Sequence, residues 1–429
     1  MGYLLLFILN LLVPFAALAV VIFFALSPRR RVLNNIGKEL AERFVLKKGL
    51  KNVKDVIWFH AASVGEVRSI AKIAGELKIY YKKKILITTS TSAGRAAAMQ
   101  EMVFDAAVLM PIDSYPLVKK FIRAYKPYRL FIVEADLWPN MIVASGRSGV
   151  PVLIINGRVS LRSSKRYKLL GSLLKLVLKY INIVCAQTDE IKARYEDMGI
   201  PANKVFTTGN IKYDMLNSQP AKEEEAEKII ELLGWKGANI VACGSTHEEE
   251  EEIIINAAKK LQDVKFIIAP RHLERKEDIL TKLNNSGLKF TMLSSFKKSE
   301  EIKKTEGVNI LLADAMGWLG AFYKAAGITF VGGSISKKGG HNFLEAAVLA
   351  RPVLFGQYYY NAPEVAKKLL ENGGGFLVNK DNFDTIIKTL FSSSDELAHS
   401  ARLAGETASF FKGATEATIK VVKKYEEKH

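Results

Sequence analysis

Cysteine is nearly absent. The 429-residue chain holds two, Cys185 and Cys243, far apart and each inside an apolar run. That placement points to buried free thiols in a reducing compartment rather than a disulfide framework. No cysteine or histidine pattern has metal-ligand spacing, so these residues point to no metal site, and no motif in the chain calls for a cofactor. Acidic charge is in deficit: 44 Asp and Glu stand against 62 Lys and Arg, leaving a formal net charge of +18. Nucleic acid, an anionic membrane or an acidic substrate each fit such a surplus. The charges are spread along the chain, and neither an RNP1 string nor a zinc finger occurs, so nucleic acid is not expected as a partner. Short-period repeats are also missing. The only low-complexity run, Glu248–Glu252, reads as a solvated helix N-terminus, where acids are favoured by the dipole.

Apolar residues, by contrast, are abundant at the start. Residues 4–26 form 23 positions without a charge. As a helix they extend about 35 Å, enough to cross a bilayer core. Asn10 and Pro14 are tolerable in such a helix. Arg29, Arg30 and Arg31 follow at once, and no positive charge precedes the run, which makes a poor secretory signal. The positive-inside rule places these arginines and the rest of the chain in the cytoplasm. Residues 1–28 are therefore expected to be a single-pass anchor, outside both folded domains and separable from them. The basic surplus then faces anionic headgroups.

Beyond Lys51 short apolar strands alternate with helical stretches. Strands are expected at 56–59, 84–90, 106–111, 129–135, 150–156 and 182–188, with helices between them. The text turns polar from Asn217 to Glu225, which reads as a linker. The rhythm then restarts with strands at 239–246, 264–270, 288–293, 308–314, 326–333, 351–356 and 374–379. This is the pattern of two doubly wound, Rossmann-like parallel sheets, 29–217 and 218–405. Ligands bind such sheets at the C-terminal ends of strands, so the two domains are expected to face each other across a cleft. The last helical stretch, Leu397 to Tyr425, is a candidate for crossing back to the first domain, and 406–429 is set apart as that segment.

The residues that carry chemistry follow strands. G-G-S-I-S-K-K-G-G-H-N-F-L-E-A-A (332–347) combines two glycine pairs, a basic loop and a helix start. Its free N–H groups favour anions and its glycines allow close backbone approach, so it reads as a nucleotide-sugar site. Asn342 and Glu345 share a helix face and can present an amide and a carboxylate to a ribose and base. Arg271, after the strand ending at Pro270, is a ready phosphate ligand. Met316, Gly317 and Trp318 offer an apolar edge and a backbone amide. In the first domain, H-A-A-S-V-G-E (60–66) supplies Ser63 and Gly65 as backbone donors and Glu66 as either a helix-capping acid or a general base. Glu134 and Asp136 follow another strand. Asn156, Arg158, Arg162 and Lys212 follow others, and basic residues there suit a phosphorylated acceptor.

Taken together, H-A-A-S-V-G-E (60–66), E-A-D-L-W-P-N (134–140), N-G-R-V-S (156–160), G-N-I-K-Y-D (209–214), P-R-H (270–272) and G-G-H-N-F-L-E (339–345) resemble the 3-deoxy-D-manno-octulosonic acid (Kdo) transferase family of lipopolysaccharide synthesis, over nearly the whole chain. The resemblance implies a GT-B glycosyltransferase of the inner membrane. It implies inverting transfer of Kdo from CMP-Kdo to the lipid A precursor, without an essential metal. By position, Glu66 would be the general base, with Lys212 and an acid of 134–136 supporting the transition state. Pro270, Arg271, Met316, Gly317, Trp318, Asn342, Phe343, Leu344 and Glu345 would hold CMP, and Ser63, Gly65, Asn156 and Arg158 would meet the acceptor. The chain departs from the family at Asp136, Trp318 and Ala346, where the family usually has Glu, Glu and Pro. The rival readings are a GT-B enzyme using another nucleotide sugar on a lipid acceptor, and a non-catalytic lipid-binding relative.

Overall fold

The structure, a computed structural model, describes residues 1–11, 33–46, 53–134, 137–215, 220–298 and 307–428. The chain divides into two compact units: residues 1–215 with 413–429, and residues 216–412. Each is built on a seven-stranded parallel sheet.

In the first unit the strands are β1 (Ile57–Ala61), β2 (Ile85–Thr89), β3 (Ala106–Leu109), β4 (Arg129–Val133), β5 (Val152–Gly157), β6 (Ile181–Ala186) and β7 (Val205–Thr207), in the order 3-2-1-4-5-6-7. Both faces of the central strands are buried, which is why they read as unbroken apolar runs. Phe59 of β1 lies beside Phe131 of β4, with rings stacked at 4.9 Å. The reversal of strand order between β1 and β4 opens the C-terminal edge where ligands bind in such sheets. β7 is unforeseen from sequence. It is three residues long, at the sheet edge, with only Val205 fully buried.

In the second unit the strands are β8 (Asn239–Thr246), β9 (Val264–Pro270), β10 (Phe290–Met292), β11 (Ile310–Leu312), β12 (Ile328–Val331), β13 (Val353–Phe355) and β14 (Gly375–Leu377), in the order 10-11-9-8-12-13-14. The reversal falls between β8 and β12.

Three segments differ from the sequence reading. The stretch taken as a linker to Glu225 is helical from Pro220: the helix Pro220–Leu232 starts with proline, whose fixed φ suits a first helical turn. The helical stretch expected from Leu397 to Tyr425 consists of two helices, Ser394–Phe410 and Ala414–Glu426, broken at Gly413 with φ +93°, so the terminal helix starts at Ala414 rather than at 406. The terminal helix belongs to the first unit. Asp214 accepts hydrogen bonds from Gly413 N at 2.7 Å and Thr415 N at 2.6 Å. At its far end Glu426 takes Arg129 bidentately at 2.9 and 2.8 Å and accepts from Tyr81 Oη at 2.8 Å.

The third difference is at the start of the apolar run. Residues 2–11 are helical and pack on the first unit rather than lying apart from it. Leu6 is buried in the core beneath the sheet. Asn10, four residues on and on the same face, donates to Asn140 Oδ1 and accepts from Tyr115 N, both at 2.7 Å. The rest of the expected membrane span, from residue 12, lies outside the described residues. Among those described, no helix is long and apolar enough to cross a membrane.

Candidate functional site

In the second unit, a cavity of about 320 Å³ opens at the C-terminal ends of β8, β9 and β11. Its walls include Ser245, Pro270, Arg271, Met316, Gly317, Trp318, His341, Asn342 and Glu345. Three segments far apart in sequence, 270–273, 313–319 and 341–345, thus meet at one place. Arg271 is exposed and anchored through its own N–H to Thr246 O at 3.1 Å, which leaves the guanidinium toward solvent. Glu345 is raised in pKa chiefly by burial, while the Asn342 amide at 3.3 Å and the charge of Arg271 act in the opposite direction. Asn342 also accepts from Leu344 N at 3.2 Å. Its side chain therefore both starts the short helix Leu344–Ala347 and steadies the carboxylate.

Two other residues assigned to the donor turn away from the cavity. Phe343 and Leu344 are buried, and the Phe343 ring packs on Phe355 at 4.7 Å between centroids. Their side chains hold the loop to the core. Trp318 is also largely buried, stacked on Phe322, whereas Met316 is exposed. Gly317 has φ +81°, and its carbonyl accepts from Lys222 Nζ at 2.7 Å.

The glycine loop itself works differently from the sequence reading. The N–H groups of residues 333–336 do not await a ligand anion: all four point at the buried carboxylate of Glu250. The glycines permit close approach of the chain to itself. A Cβ on Gly332 would sit 2.3 Å from Ser245 O, and one on Gly340 (φ +73°) would sit 2.4 Å from the Phe343 ring. His341 escaped the sequence reading as a ligand because a lone histidine is more often structural. It lines the cavity, and its Nε2 lies 3.1 Å from Nε2 of His247. Burial, then the nearby Arg271, His247 and His272, push it down to about 4.

In the first unit the assigned residues sit along the C-terminal edge of the sheet. Ser63 caps the helix Val64–Tyr81, and Glu66 answers it: Glu66 accepts from Ala62 N at 2.7 Å and Ser63 Oγ at 2.8 Å. Ser63 Oγ in turn lies 3.4 Å from Glu66 N, and the carboxylate reaches past the cap residue to Ala62 N, which fixes it in place. Gly65 and Arg158 are exposed. Glu134, in the left-handed region at φ +63°, pairs with Lys212 Nζ at 2.5 Å, a contact that is an ion pair rather than an aligned hydrogen bond. Asp136 lies outside the described residues. Asn156 is fully buried, and its Oδ1 accepts from Ile211 N at 3.1 Å, so it holds the segment that carries Lys212.

Several buried polar atoms on the same edge have no hydrogen-bond partner among the described residues: His60 Nε2, Ser90 Oγ, Trp138 Nε1 and Asn156 Nδ2. Native proteins rarely leave such atoms unsatisfied, so an edge that collects them is suited to a polar ligand. Arg43 was not foreseen there. Its guanidinium donates to Ser90 O at 2.7 Å and Met110 O at 3.3 Å, beyond the ends of β2 and β3. Only tertiary packing brings the helix Leu33–Arg43 to that edge. Among the described residues no group of three or more His, Cys, Asp or Glu side chains could hold a metal ion.

A family described as "3-Deoxy-D-manno-octulosonic-acid transferase (kdotransferase)" matches residues 38–215. The 3-deoxy-D-manno-octulosonic acid transferase of Haemophilus influenzae is 30% identical over 384 residues, covering 87% of this chain and 88% of that one. The chain belongs to the Kdo transferase family. A bifunctional glycosyltransferase/methyltransferase of Fusobacterium nucleatum is also 30% identical, over 90% of this chain, which spans 60% of that protein's length. A glycosyltransferase structure from Rickettsia africae superposes with a TM-score of 0.59 at 16% identity, covering 87% of this chain and 98% of that one. That likeness concerns the fold, and the two parallel-sheet units are those of GT-B glycosyltransferases. Family membership makes the protein a glycosyltransferase.

Proposed function

We propose that the protein transfers Kdo from CMP-Kdo to a glucosamine hydroxyl of the lipid A precursor lipid IVA, with inversion at the anomeric carbon. The observation that carries this reading is the cavity of the second unit, in a chain of this family: an exposed guanidinium, a half-buried carboxylate with its amide partner, and an apolar edge at Met316 converge there. Arg271 meets the phosphate of CMP. Asn342 and Glu345 meet the polar edges of the nucleoside.

In the step itself, the acceptor hydroxyl oxygen attacks the anomeric carbon of Kdo while Glu66 takes its proton. The bond from that carbon to the phosphate oxygen breaks, and its electron pair leaves with CMP. Glu66 suits the role because Ala62 N and Ser63 Oγ hold its carboxylate in one orientation, and a positioned base contributes about 10²–10⁴-fold. The Lys212–Glu134 pair supplies a fixed cation beside the first-unit edge, which stabilises developing negative charge. Arg271 neutralises the leaving phosphate, so no metal is invoked. Ser63, Gly65, Asn156 and Arg158 are assigned to the acceptor side, where the unpartnered polar atoms offer partners for sugar hydroxyls.

The lipid acceptor goes with a membrane location. Leu4, Phe7, Ile8 and Leu11 are exposed on the helix formed by residues 2–11. Leu161, Leu169 and Leu170 are exposed beside Arg162, Lys165, Arg166 and Lys168. Apolar side chains among cations suit the cytoplasmic face of an anionic inner membrane. An assay with CMP-Kdo and lipid IVA, products resolved by mass, tests donor, acceptor and number of transfers together. Inhibition by CMP but not UDP is expected; inhibition by UDP and not CMP would assign another donor.

A further inference from the structure

The five glutamates of 248–252 read from sequence as a solvated helix start. Glu248, Glu249 and Glu252 are exposed, as that reading requires. Glu250 and Glu251 are completely buried. Burying a carboxylate costs several kcal/mol unless hydrogen bonds replace its water, so each must have strong partners. They have different ones.

Glu250 accepts five backbone N–H groups. Its Oε1 takes Ser334 at 3.0 Å, Ile335 at 2.9 Å and Ser336 at 3.2 Å. Its Oε2 takes Gly333 at 2.9 Å and His247 at 3.0 Å. The last closes a capping box on the helix Glu248–Lys260. The other four gather the loop after β12, which leads to His341, Asn342 and Glu345. Gly332 packs against the same carboxylate: a Cβ there would lie 2.8 Å from Glu250 Oε2, besides 2.3 Å from Ser245 O. Glu251 points elsewhere. It holds Arg275 bidentately at 3.2 and 3.0 Å and lies 3.4 Å from Thr246 Oγ1. Arg275 follows Pro270, Arg271 and Leu273 on the opposite wall of the same cavity, and Thr246 follows Ser245.

We infer that Glu250 and Glu251 are positioning residues for the nucleotide site: two adjacent carboxylates on one helical turn set the two walls of the cavity. Glu250 fixes the loop after β12, and Glu251 fixes the segment after β9. Neither touches the ligand. The loop amides serve a resident carboxylate instead of the donor phosphate, so the phosphate depends on the Arg271 side chain. This rests on the cavity being the CMP site.

The test uses the full chain with E250Q, E251Q and, as a control at an exposed position, E249Q. Glutamine keeps the shape, but its NH2 would face N–H donors. Four readings are taken: CMP affinity by calorimetry, KM and kcat for CMP-Kdo, amide hydrogen exchange at 333–336, and the melting temperature. E250Q is expected to weaken CMP binding at least tenfold, raise the donor KM similarly, keep kcat within about threefold, and speed exchange at 333–336. E251Q is expected to weaken CMP binding about threefold to tenfold without changing that exchange. E249Q should match wild type throughout. A purely architectural role would lower the melting temperature and leave CMP affinity unchanged, and that result overturns the inference. So does E250Q with wild-type exchange. If E250Q does not fold, E251Q and R275Q decide: both must weaken CMP binding. If the wild type binds no CMP, the donor reading fails, and the exchange at 333–336 alone then judges whether Glu250 holds the loop.

Discussion

The two units have the same plan and opposite edges. Each is a seven-stranded parallel sheet with a reversal of strand order at its middle. At the C-terminal edge of the second, the buried acids are saturated: Glu250 by five amides, Glu251 by a guanidinium. At the corresponding edge of the first, buried polar atoms of His60, Ser90, Trp138 and Asn156 go unpartnered among the described residues, against Ser336 Oγ alone in the loop after β12. A saturated edge is rigid before its ligand arrives, which suits a nucleotide common to every turnover. An edge with unused donors and acceptors is completed by its ligand, which suits a sugar acceptor. The same fold thus supports two kinds of site, and the difference lies in side chains rather than strands.

The largest expected effect tests the division of labour. Glu66→Ala should lower transfer by about 10²–10⁴-fold while leaving CMP affinity as it is. Transfer at the wild-type rate would remove Glu66 as base. Almost as large is the effect of acid on the first unit. Burial pushes His60 down to about 4, so the folded state refuses a proton that the unfolded chain accepts. Stability is therefore intact above pH 6.5 and is lost as pH falls from there to about 4, by about 3 kcal/mol. His60→Gln should flatten that slope in denaturant titrations at pH 7 and 4.5; an unchanged slope would assign acid sensitivity to other groups. His341 shares the direction but is half-exposed, so solvent reduces its contribution.

For the saturated edge, Arg271→Ala should raise the CMP dissociation constant about 10–100-fold, the worth of a charged hydrogen bond, without altering acceptor binding. Equal affinity in calorimetry would mean that another cation meets the phosphate. The smallest effect concerns the first helix. Asn10→Ala leaves the Tyr115 amide and the Asn140 side chain short of a partner, and should reduce unfolding free energy of the first unit by about 1–2 kcal/mol. An unchanged value would return residues 2–11 to the status of a separable anchor.

Much of this was legible in the sequence. The strands at 239–246 and 264–270 coincide with the expected segments to the residue, because the middle of a strand buried on both faces is dominated by apolar residues. Arg271, Met316, Gly317, Asn342 and Glu345 could be picked out because each follows a strand, and Pro270 because it ends one, and parallel sheets present such positions at one edge. Phe343 and Leu344 could not be sorted from them, since a loop residue's direction depends on what packs beneath it. Arg43 and His247 carried no local signal at all. Their roles come from a helix docking on a distant strand end and from a contact with His341, 94 positions away.

The sequence by itself determined the two parallel sheets, the family, and the segments that gather at their edges, because apolar periodicity and strand ends are local properties. Only the tertiary structure decided which way the polar groups point. Five successive glutamates are identical as letters, yet three meet water and two lie buried, holding the walls of the cavity. The physical reason is that a carboxylate is stable in the interior only where amides or a guanidinium replace its water, and those partners come from other parts of the chain.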